Sequence, residues 1–278
     1  MEIVFNKEKI KATKDSIKED VPFYGEILDF YEKIFIIQEE LKLSLSPDPL
    51  ILNEENLSYP LIKRKRFNID FDSAGKVLSE ILKVVKSGNN TFGKFADMVE
   101  NEILNDSMNF KNLINYILNA DEEFITIADK IEVPNDTLYF FIYNSIKPFL
   151  EISSEQLSHY LKGEEYDGGF CPICGGHPYL SVFNENGERS LICEFCCHQW
   201  KAKRIFCPFC DSQDKDKLKY FYSESEEFHR VDLCDDCKRF IKCVDLRKLE
   251  RSFYPPFEML STLHLDMKAK ELGYKNSI

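Results

Sequence analysis

The stretch CPICGGHPYLSVFNENGERSLICEFC, residues 171–196, begins and ends with a C-x-x-C pair. Two β-type runs, YLSVF at 179–183 and RSLIC at 189–193, flank the turn signal NENGE, and this pattern predicts a β-hairpin. Such a hairpin returns the second C-x-x-C pair to the first. Four sulfurs brought together in this way can hold a metal ion, form two disulfides or act as redox dithiols.

The C-x-x-C pattern occurs four times in one region of the chain. Sequential, nested and crossed pairings of the four turns are conceivable, but sequential pairing needs only local hairpins and has the lowest loop-closure cost. A second hairpin is predicted from LKYFYSE at 218–224 and FHRVDLC at 228–234. All ten cysteines lie between Cys171 and Cys243, and eight of them form the pairs Cys171/Cys174, Cys193/Cys196, Cys207/Cys210 and Cys234/Cys237.

A metal site with four thiolate ligands is the chemistry that this pattern favours. Secreted disulfide scaffolds are usually shorter than this chain of 278 residues, and thioredoxin-type dithiols occur singly on a βαβ background, which this sequence does not predict. Two C-x-x-C turns complete a tetrahedral S4 site. The sequence therefore predicts two tandem rubredoxin-like or zinc-ribbon modules, each with one tetrathiolate-bound ion. Zinc and iron both suit four thiolates, so the metal stays open.

Residues beside the four pairs are expected to have other roles. Cys197 directly follows a predicted ligand, so its thiol should point away from the metal, and Cys243 should be packed in the core. His177 and His198 could replace a ligand, but four cysteines per site already suffice. Trp200, the only tryptophan, is expected to pack the junction of the ribbons. A closed S4 site offers no open position for a substrate, and no nucleophilic triad is visible, so we expect no catalytic residues.

The remainder of the chain is predicted to be helical. Apolar residues recur at three-to-four spacing after Pro22, and further helices are expected near 73–88, from Thr91, over 107–119, 121–131 and 135–150, and at SSEQLSHYLKG. Residues 44–72 have no clean period. We predict an α+β protein with an all-helical domain (1–165), a first ribbon (166–205), and a second ribbon with a C-terminal helix (206–278).

The charge is unevenly distributed. The net charge is −12, of which residues 1–165 carry −11 and residues 166–278 only −1. An acidic first half repels phosphate backbones, so nucleic-acid binding is not expected. The longest apolar patch, IFII at 34–37, is far too short to insert into a membrane, and the start MEIVFNKEKI does not read as a signal peptide. We expect a soluble protein that stays in the compartment where it is made.

From Cys171 onwards the sequence resembles the FdhE-type formate dehydrogenase accessory proteins. CPICGGHP at 171–178 is followed by G-x-R at Gly187 and Arg189, and WKAKRIFC carries Trp200 and Arg204 into the third cysteine pair. Lys242 and the tail LSTLHLDMKAKELGY complete the match, which covers about 110 residues. In this chain only the first pair is followed by glycine, Gly175. The residues at the same place after the other pairs are Cys197, Asp211 and Lys238.

The resemblance implies a non-catalytic, cytoplasmic assembly factor. Proteins of this family resemble helical platforms with two rubredoxin-like ribbons that associate with the catalytic subunit of a molybdenum- or tungsten-dependent formate dehydrogenase and support its maturation or quality control. Two other hypotheses remain at this point. One is electron transfer by rubredoxin-like iron, and the other is nucleic-acid binding through Lys201, Lys203 and Arg204.

Overall fold

A computed structural model of the protein describes residues 7–45, 48–54, 57–88, 92–161, 166–223 and 227–276. Contacts within the chain define two units that alternate along the sequence. The first comprises Met1–Lys7, Phe30–Ile51 and Ile62–Ser153, and the second comprises Glu8–Asp29, Leu52–Leu61 and Ser154–Ile278. The predicted boundary at residue 165 lies outside the described residues, and the predicted domain limits stay a prediction.

Helices occupy most of the chain before residue 158. The expected helix at 107–119 is confirmed, while the segments predicted at 135–150 and from Ser153 form one helix that continues through Pro148. Thr91 and Gly163, the expected ends of two helices, lie outside the described residues. The helices are α1 Lys7–Asp20, α2 Gly25–Ser44, α3 Phe71–Ser87, α4 Phe92–Val99, α5 Ser107–Asn119, α6 Glu123–Lys130 and α7 Asn135–Leu157.

Local sequence explains where these helices begin. The Asp70 side chain accepts hydrogen bonds from the backbone N–H groups of Asp72 and Ser73 at the start of α3, and Asp106 caps α5 in the same way. Apolar residues of α3 at three-to-four spacing are all buried, as an amphipathic helix requires. No helix in the described part of the chain is long and apolar enough to cross a membrane.

The first unit contains a buried polar network. Gln38 donates a hydrogen bond of 2.9 Å to the backbone carbonyl of Asn144, and both side chains are buried. Lys42 lies between Glu39 and Glu151. Burial disfavours the charge on Lys42, but the two carboxylates outweigh burial and raise its pKa. Gln38 and Lys42 therefore have hydrogen-bond and ion-pair partners within the first unit.

The second unit is built on a six-stranded sheet with the order β3-β2-β1-β6-β5-β4. Both predicted hairpins are present as the antiparallel pairs β1–β2 and β4–β5. Strands β3 and β6, which the sequence did not predict, extend each hairpin to three strands. The strands are β1 Pro178–Phe183, β2 Arg189–Cys193, β3 Gln199–Ala202, β4 Leu218–Tyr222, β5 His229–Cys234 and β6 Arg239–Asp245.

The two ribbons share this sheet because β1 and β6 pair in parallel. Leu180 lies opposite Lys242, and Phe183 lies opposite Asp245. Arg189 reinforces the joint from β2, where its buried guanidinium donates to the carbonyl of Phe206 at 3.0 Å and to Asp232 at 3.2 Å. The ribbons are thus tandem in sequence but continuous in structure.

Two helices, α8 Pro255–Ser261 and α9 Leu263–Glu271, take the place of the single C-terminal helix that we expected. Leu265 and Ala269 of α9 pack on Val231, Leu233 and Phe240 of the sheet. Because side chains alternate along a strand, Arg230 and Asp232 point to the opposite face. Helices therefore cover one face of β5 and β6, and the other face of β5 carries the polar side chains of Arg230 and Asp232.

Residues from early in the chain also belong to the second unit. The hydroxyl of Tyr24 accepts a hydrogen bond of 3.0 Å from the backbone N–H of His264, at the start of α9. The backbone N–H of Leu61 donates to the carbonyl of Pro172 at 2.8 Å. Two upstream segments therefore contact the region that contains the predicted ribbons.

Candidate metal centres

The first hairpin brings together the four sulfurs of Cys171, Cys174, Cys193 and Cys196. The Cys174 Sγ lies 3.5 Å from the Sγ atoms of both Cys193 and Cys196, and the Sγ atoms of Cys171 and Cys196 lie 3.6 Å apart. All four sulfurs lie within 4.8 Å of one another. These four residues form the first cluster.

The second hairpin does the same for Cys207, Cys210, Cys234 and Cys237, the second cluster. The Sγ atoms of Cys207 and Cys237 lie 3.6 Å apart, and those of Cys210 and Cys234 lie 3.7 Å apart. Its four sulfurs also lie within 4.8 Å of one another. Each cluster thus joins consecutive C-x-x-C turns, which is the sequential pairing expected from the loop lengths.

The spacing of the sulfurs fits a metal ion. A tetrahedral ion with metal–sulfur bonds of about 2.3 Å separates its four sulfurs by about 3.8 Å, whereas a disulfide requires about 2.05 Å. The distances of 3.5–3.7 Å agree with the first geometry, and all ten cysteines have free thiols. Four soft sulfur donors suit zinc and iron equally. Each cluster could hold one such ion.

The C-x-x-C turns have the same backbone conformation at all four places. The residue after each second cysteine has a left-handed backbone, with φ of 75° at Gly175, 57° at Cys197, 59° at Asp211 and 55° at Lys238. In the first, third and fourth turns the N–H of this residue donates to the carbonyl of the first cysteine at 2.9 Å. Only glycine adopts this conformation without steric cost, so three of the four turns carry some strain.

The two clusters differ in exposure. All four cysteines of the first cluster are buried. Two residues from outside its hairpin bond to its turns, since the backbone N–H of Leu61 donates to the Pro172 carbonyl and the Ser154 hydroxyl donates to the Cys196 carbonyl at 3.1 Å. In the second cluster, Cys210 is exposed and Cys237 is half-buried. Solvent therefore reaches the second cluster but not the first.

Electrostatics distinguish individual sulfurs. Hydrogen bonds from Cys171, Cys193 and Cys196 hold the pKa of Cys174 far below its usual range. Burial raises the pKa of Cys193 and Cys196. In the second cluster, burial raises the pKa of Cys237 to about 11. Metal binding would release the protons that the other thiols hold.

Comparison with known proteins gives a consistent result. A family model described as "FdhE, central domain" matches residues 170–204, which contain the whole first cluster. A curated "Protein FdhE homolog" from Aquifex aeolicus is 25% identical over 266 residues, or 93% of this chain and 88% of the relative. The resemblance to the FdhE family is therefore confirmed.

Two further relatives agree with this assignment. An FdhE homologue from Shewanella oneidensis is 31% identical over 107 residues, which are 37% of this chain and 35% of that protein. The crystal structure of the FdhE protein from Pseudomonas aeruginosa has a TM-score of 0.65 and 18% identity, and the match covers 98% of this chain and 94% of that one. At 18% identity, the match to the Pseudomonas aeruginosa structure shows a likeness of fold alone. The predicted α+β class, with a helical first part and a sheet with two tetracysteine clusters, is confirmed.

The residues that carried the FdhE resemblance have separable roles. Lys242 is buried on β6, where its ammonium donates to Asp266 of α9 at 2.7 Å and to the carbonyl of Met259 at 3.0 Å. The lysine and the aspartate of the tail motif therefore attach the C-terminal helices to the sheet. Arg204, by contrast, is exposed, and its guanidinium lies 5.9 Å from the ring centre of Phe183.

Trp200 does not lie on the strands that join the ribbons, and its packing at their junction stays a prediction. It is on β3, the outer strand of the first ribbon, and its indole N–H donates to the carbonyl of Gly168 at 3.0 Å. This hydrogen bond attaches the segment around Gly168, which precedes the first cysteine turn, to β3. The junction is formed by β1, β6 and Arg189.

The other candidates lie outside the clusters. Among the described residues, neither His177 nor His198 belongs to a group that could hold a metal, and burial lowers the pKa of His198 to about 4. Burial raises the pKa of Cys243 to about 12, so this packed thiol stays protonated. One buried group was missed from the sequence. Glu258 of α8 contacts Arg251, which is near in the chain, and His229, whose distance in the chain from Glu258 hid the contact.

Proposed function

We propose that this chain is a non-catalytic, metal-binding accessory protein in the cytoplasm, which binds the catalytic subunit of a molybdenum- or tungsten-dependent formate dehydrogenase. It would support the maturation, activation or quality control of that subunit. The observation that carries the proposal is the pair of tetracysteine clusters in one sheet, in a chain that is similar to an FdhE homologue over 93% of its length.

The proposed ligands are the four cysteines of the first cluster and the four of the second, with one zinc or iron ion each. The ribbons at 166–205 and 206–278 would each fold around one ion. A bound ion contributes folding energy, and iron would add the capacity to carry one electron. The spacing of the sulfurs supports this assignment, since pairs at 3.5–3.7 Å match the edges of an S4 tetrahedron.

A binding role rather than catalysis is supported by the surroundings of the clusters. Four thiolates around one ion leave no position for water or a substrate. Two histidines that could serve as bases have structural partners, since His229 contacts Glu258 at 2.9 Å and His264 contacts the Tyr24 hydroxyl at 3.2 Å. The features that remain are a rigid sheet and its surfaces, which suit recognition of a partner.

The proposal is tested by oxygen-free co-purification from the native cell, combined with metal quantification. We expect a formate dehydrogenase catalytic subunit to be enriched with the wild-type protein and with the Cys197→Ser variant, whose altered thiol lies outside both clusters. Cys193→Ser should lose the ion of the first cluster. Absence of the subunit from the wild-type preparation would refute the proposed partner.

Electron transfer by rubredoxin-like iron is the second candidate function. The exposure of Cys210 favours it, because an exposed sulfur ligand gives a short path for an electron between the ion and a partner. Visible spectroscopy and metal analysis of protein purified without oxygen from native cells distinguish the two candidates. A colourless protein that contains zinc alone would count against electron transfer.

A further inference from the structure

The face of the sheet opposite α8 and α9 carries a cationic groove with a volume of about 330 Å³. It lies beside the second cluster, and Cys207 and Cys234 contribute to its wall. Its side chains come from β1, β2, β4, β5 and β6 and from the loop between β3 and Cys207. Seven basic residues line it, namely Arg189, Arg204, Lys215, Lys219, Arg230, Arg239 and Arg247.

The charge of this groove is opposite to that of the whole chain. Asp232 is the one carboxylate among its lining residues, whereas the chain has a net charge of −12. Asp232 is already shared by Arg189 at 3.2 Å and Arg230 at 2.8 Å. The groove is thus a local concentration of positive charge on an acidic protein.

Three of the cations are available to a ligand. Among the described residues, no carboxylate lies within ion-pair distance of Arg204, Lys215 or Arg239, whereas Lys219 and Arg247 pair with Asp235 and Asp245. Unpaired cations at the rim of a concave surface attract anions and speed their arrival.

Aromatic rings hold the two rim arginines in position. The guanidinium of Arg204 lies 5.9 Å from the ring centre of Phe183, and that of Arg239 lies 5.6 Å from the ring centre of Phe209. A guanidinium supported by an aromatic ring keeps its N–H groups available for a carboxylate, and it loses less freedom when it binds. This arrangement suits recognition of carboxylate side chains beside apolar ones.

The groove ends at an open strand edge. Strand β4 is the last strand of the sheet, and within the part of the chain that the structure describes no strand pairs with its outer edge. Lys219 and Tyr220 of this strand line the groove, and Tyr220 is 59% exposed. A peptide added along β4 would direct alternate side chains to the groove face.

We propose that this groove binds an extended acidic segment of a partner polypeptide, with its backbone along β4 and its carboxylates at Arg204 and Arg239. The inference deepens the proposed function and rests on it for the identity of the partner, but the chemistry of the groove is tested independently of that partner. Exposed Arg204 of the motif WKAKRIFC, which pairs with no carboxylate among the described residues, would thereby bind the partner.

The first test is a titration of the full-length, metal-loaded protein with a fluorescent peptide of about eight residues, long enough to span β4 at ~3.3 Å per residue. Glutamates alternate with tyrosine and valine in this probe, and glutamines replace the glutamates in a second probe. We expect the acidic probe to bind more weakly as salt increases, and Arg204→Gln combined with Arg239→Gln to weaken it about tenfold or more.

The matched control removes the same charge elsewhere. Lys83 and Lys201 are exposed, are ion-paired with Glu80 and Glu188, and do not line the groove. Lys83→Gln combined with Lys201→Gln should leave binding of the acidic probe within about twofold of the wild type. Arg239→Lys, which keeps the charge but loses the planar group, should give an intermediate affinity.

Three binding results would each overturn the inference. The first is equal loss of binding in the groove variant and the control, and the second is equal binding of the glutamine probe. The third is tight binding of a single-stranded oligonucleotide by a groove that does not bind the acidic peptide. Hydrogen exchange locates the peptide, because binding should protect the amides of Leu218–Tyr222, and protection confined to other strands contradicts the proposed site.

Co-purification separates this inference from the proposed function. If the wild type and the groove variant both retain the formate dehydrogenase subunit, the groove does not bind it and the inference fails while the proposed function stands. If the wild type retains the subunit and the groove variant alone loses it, both are supported. If the wild type retains none, the proposed partner fails, and the peptide titration still decides whether the groove recognises acidic segments.

Discussion

Glu258 is the residue whose removal should destabilise the second unit most selectively without touching a metal ligand. Its side chain is fully buried on α8. Its two oxygens accept hydrogen bonds from Arg251 at 2.6 and 2.8 Å, and one of them lies 2.9 Å from the Nε2 atom of His229 on β5. The carboxylate therefore joins α8 to the sheet through two basic partners.

Glu258→Gln keeps the shape of the side chain and removes its charge. Arg251, whose side chain is only 10% exposed, then loses its counter-charge. Removing one partner of a buried ion pair typically costs about 3–5 kcal/mol, because the other charge stays buried without compensation. Because Arg251 keeps some access to solvent, we expect a loss at the lower end of this range, about 3 kcal/mol in the free energy of unfolding.

Denaturant unfolding of the metal-loaded protein, followed by tryptophan fluorescence, measures this loss. Trp200 is the only tryptophan and is 5% exposed on β3, so its emission reports on unfolding of the sheet. Glu227→Gln is the matched control, since Glu227 is 86% exposed in its pair with Lys248 and should change stability by less than about 0.5 kcal/mol. A loss of unfolding free energy below ~1 kcal/mol for Glu258→Gln, or equal losses in both variants, would contradict the role of the Glu258 carboxylate in joining α8 to the sheet.

The same variant predicts a pH dependence. Burial disfavours the charged form of Glu258, but Arg251 and His229 outweigh burial and lower its pKa. A lowered pKa in the folded state contributes stability that is present above the unfolded-state value of about 4.3 and is lost as the pH falls through the folded-state value. The stability difference between wild type and Glu258→Gln should therefore narrow in acid. Metal release affects both proteins and cancels in this difference.

Three further predictions concern the clusters. Cys193→Ser and Cys234→Ser should each reduce the metal content from two ions to one, and Cys197→Ser should leave the metal content unchanged. Metal quantification measures this, and equal losses in all three variants would contradict the ligand assignment. A chelator should remove the ion of the second cluster first, because solvent reaches it, and a single-phase release would argue against this. Gly175→Ala should lower the free energy of unfolding by about 1–2 kcal/mol, because φ is 75° and the added methyl group would lie 3.2 Å from Pro60. Lys238→Gly should not lower the free energy of unfolding, because glycine adopts the left-handed backbone at this position without steric cost.

Sequence reasoning predicted the parts of this protein that depend on neighbouring residues. The hairpins at 178–193 and 218–234, the sequential pairing of the cysteine turns and the helix at 107–119 all follow from short-range spacing and periodicity. A hairpin leaves little freedom in where its two ends meet, so the two clusters could be assembled from the sequence alone.

The failures concern residues that are distant in the chain. Nothing in the local pattern indicates that β1 pairs with β6, that Trp200 bonds to the segment before the first ribbon, or that the helices predicted at 135–150 and from Ser153 are one. Each of these depends on which surfaces are buried against each other, and burial is decided by the whole chain rather than by a window of residues.

Two sets of four sulfurs on hairpins follow from local sequence, because the C-x-x-C turns and the strand signals are short-range. That one cluster is buried and the other is open to solvent depends on the folded chain, since Leu61 and Ser154, which bond to the turns of the first cluster, lie outside the hairpin that forms it. The same is true of the cationic groove. Its arginines are scattered over 189–247 and meet on one face only because parallel pairing joins the two ribbons into a single sheet.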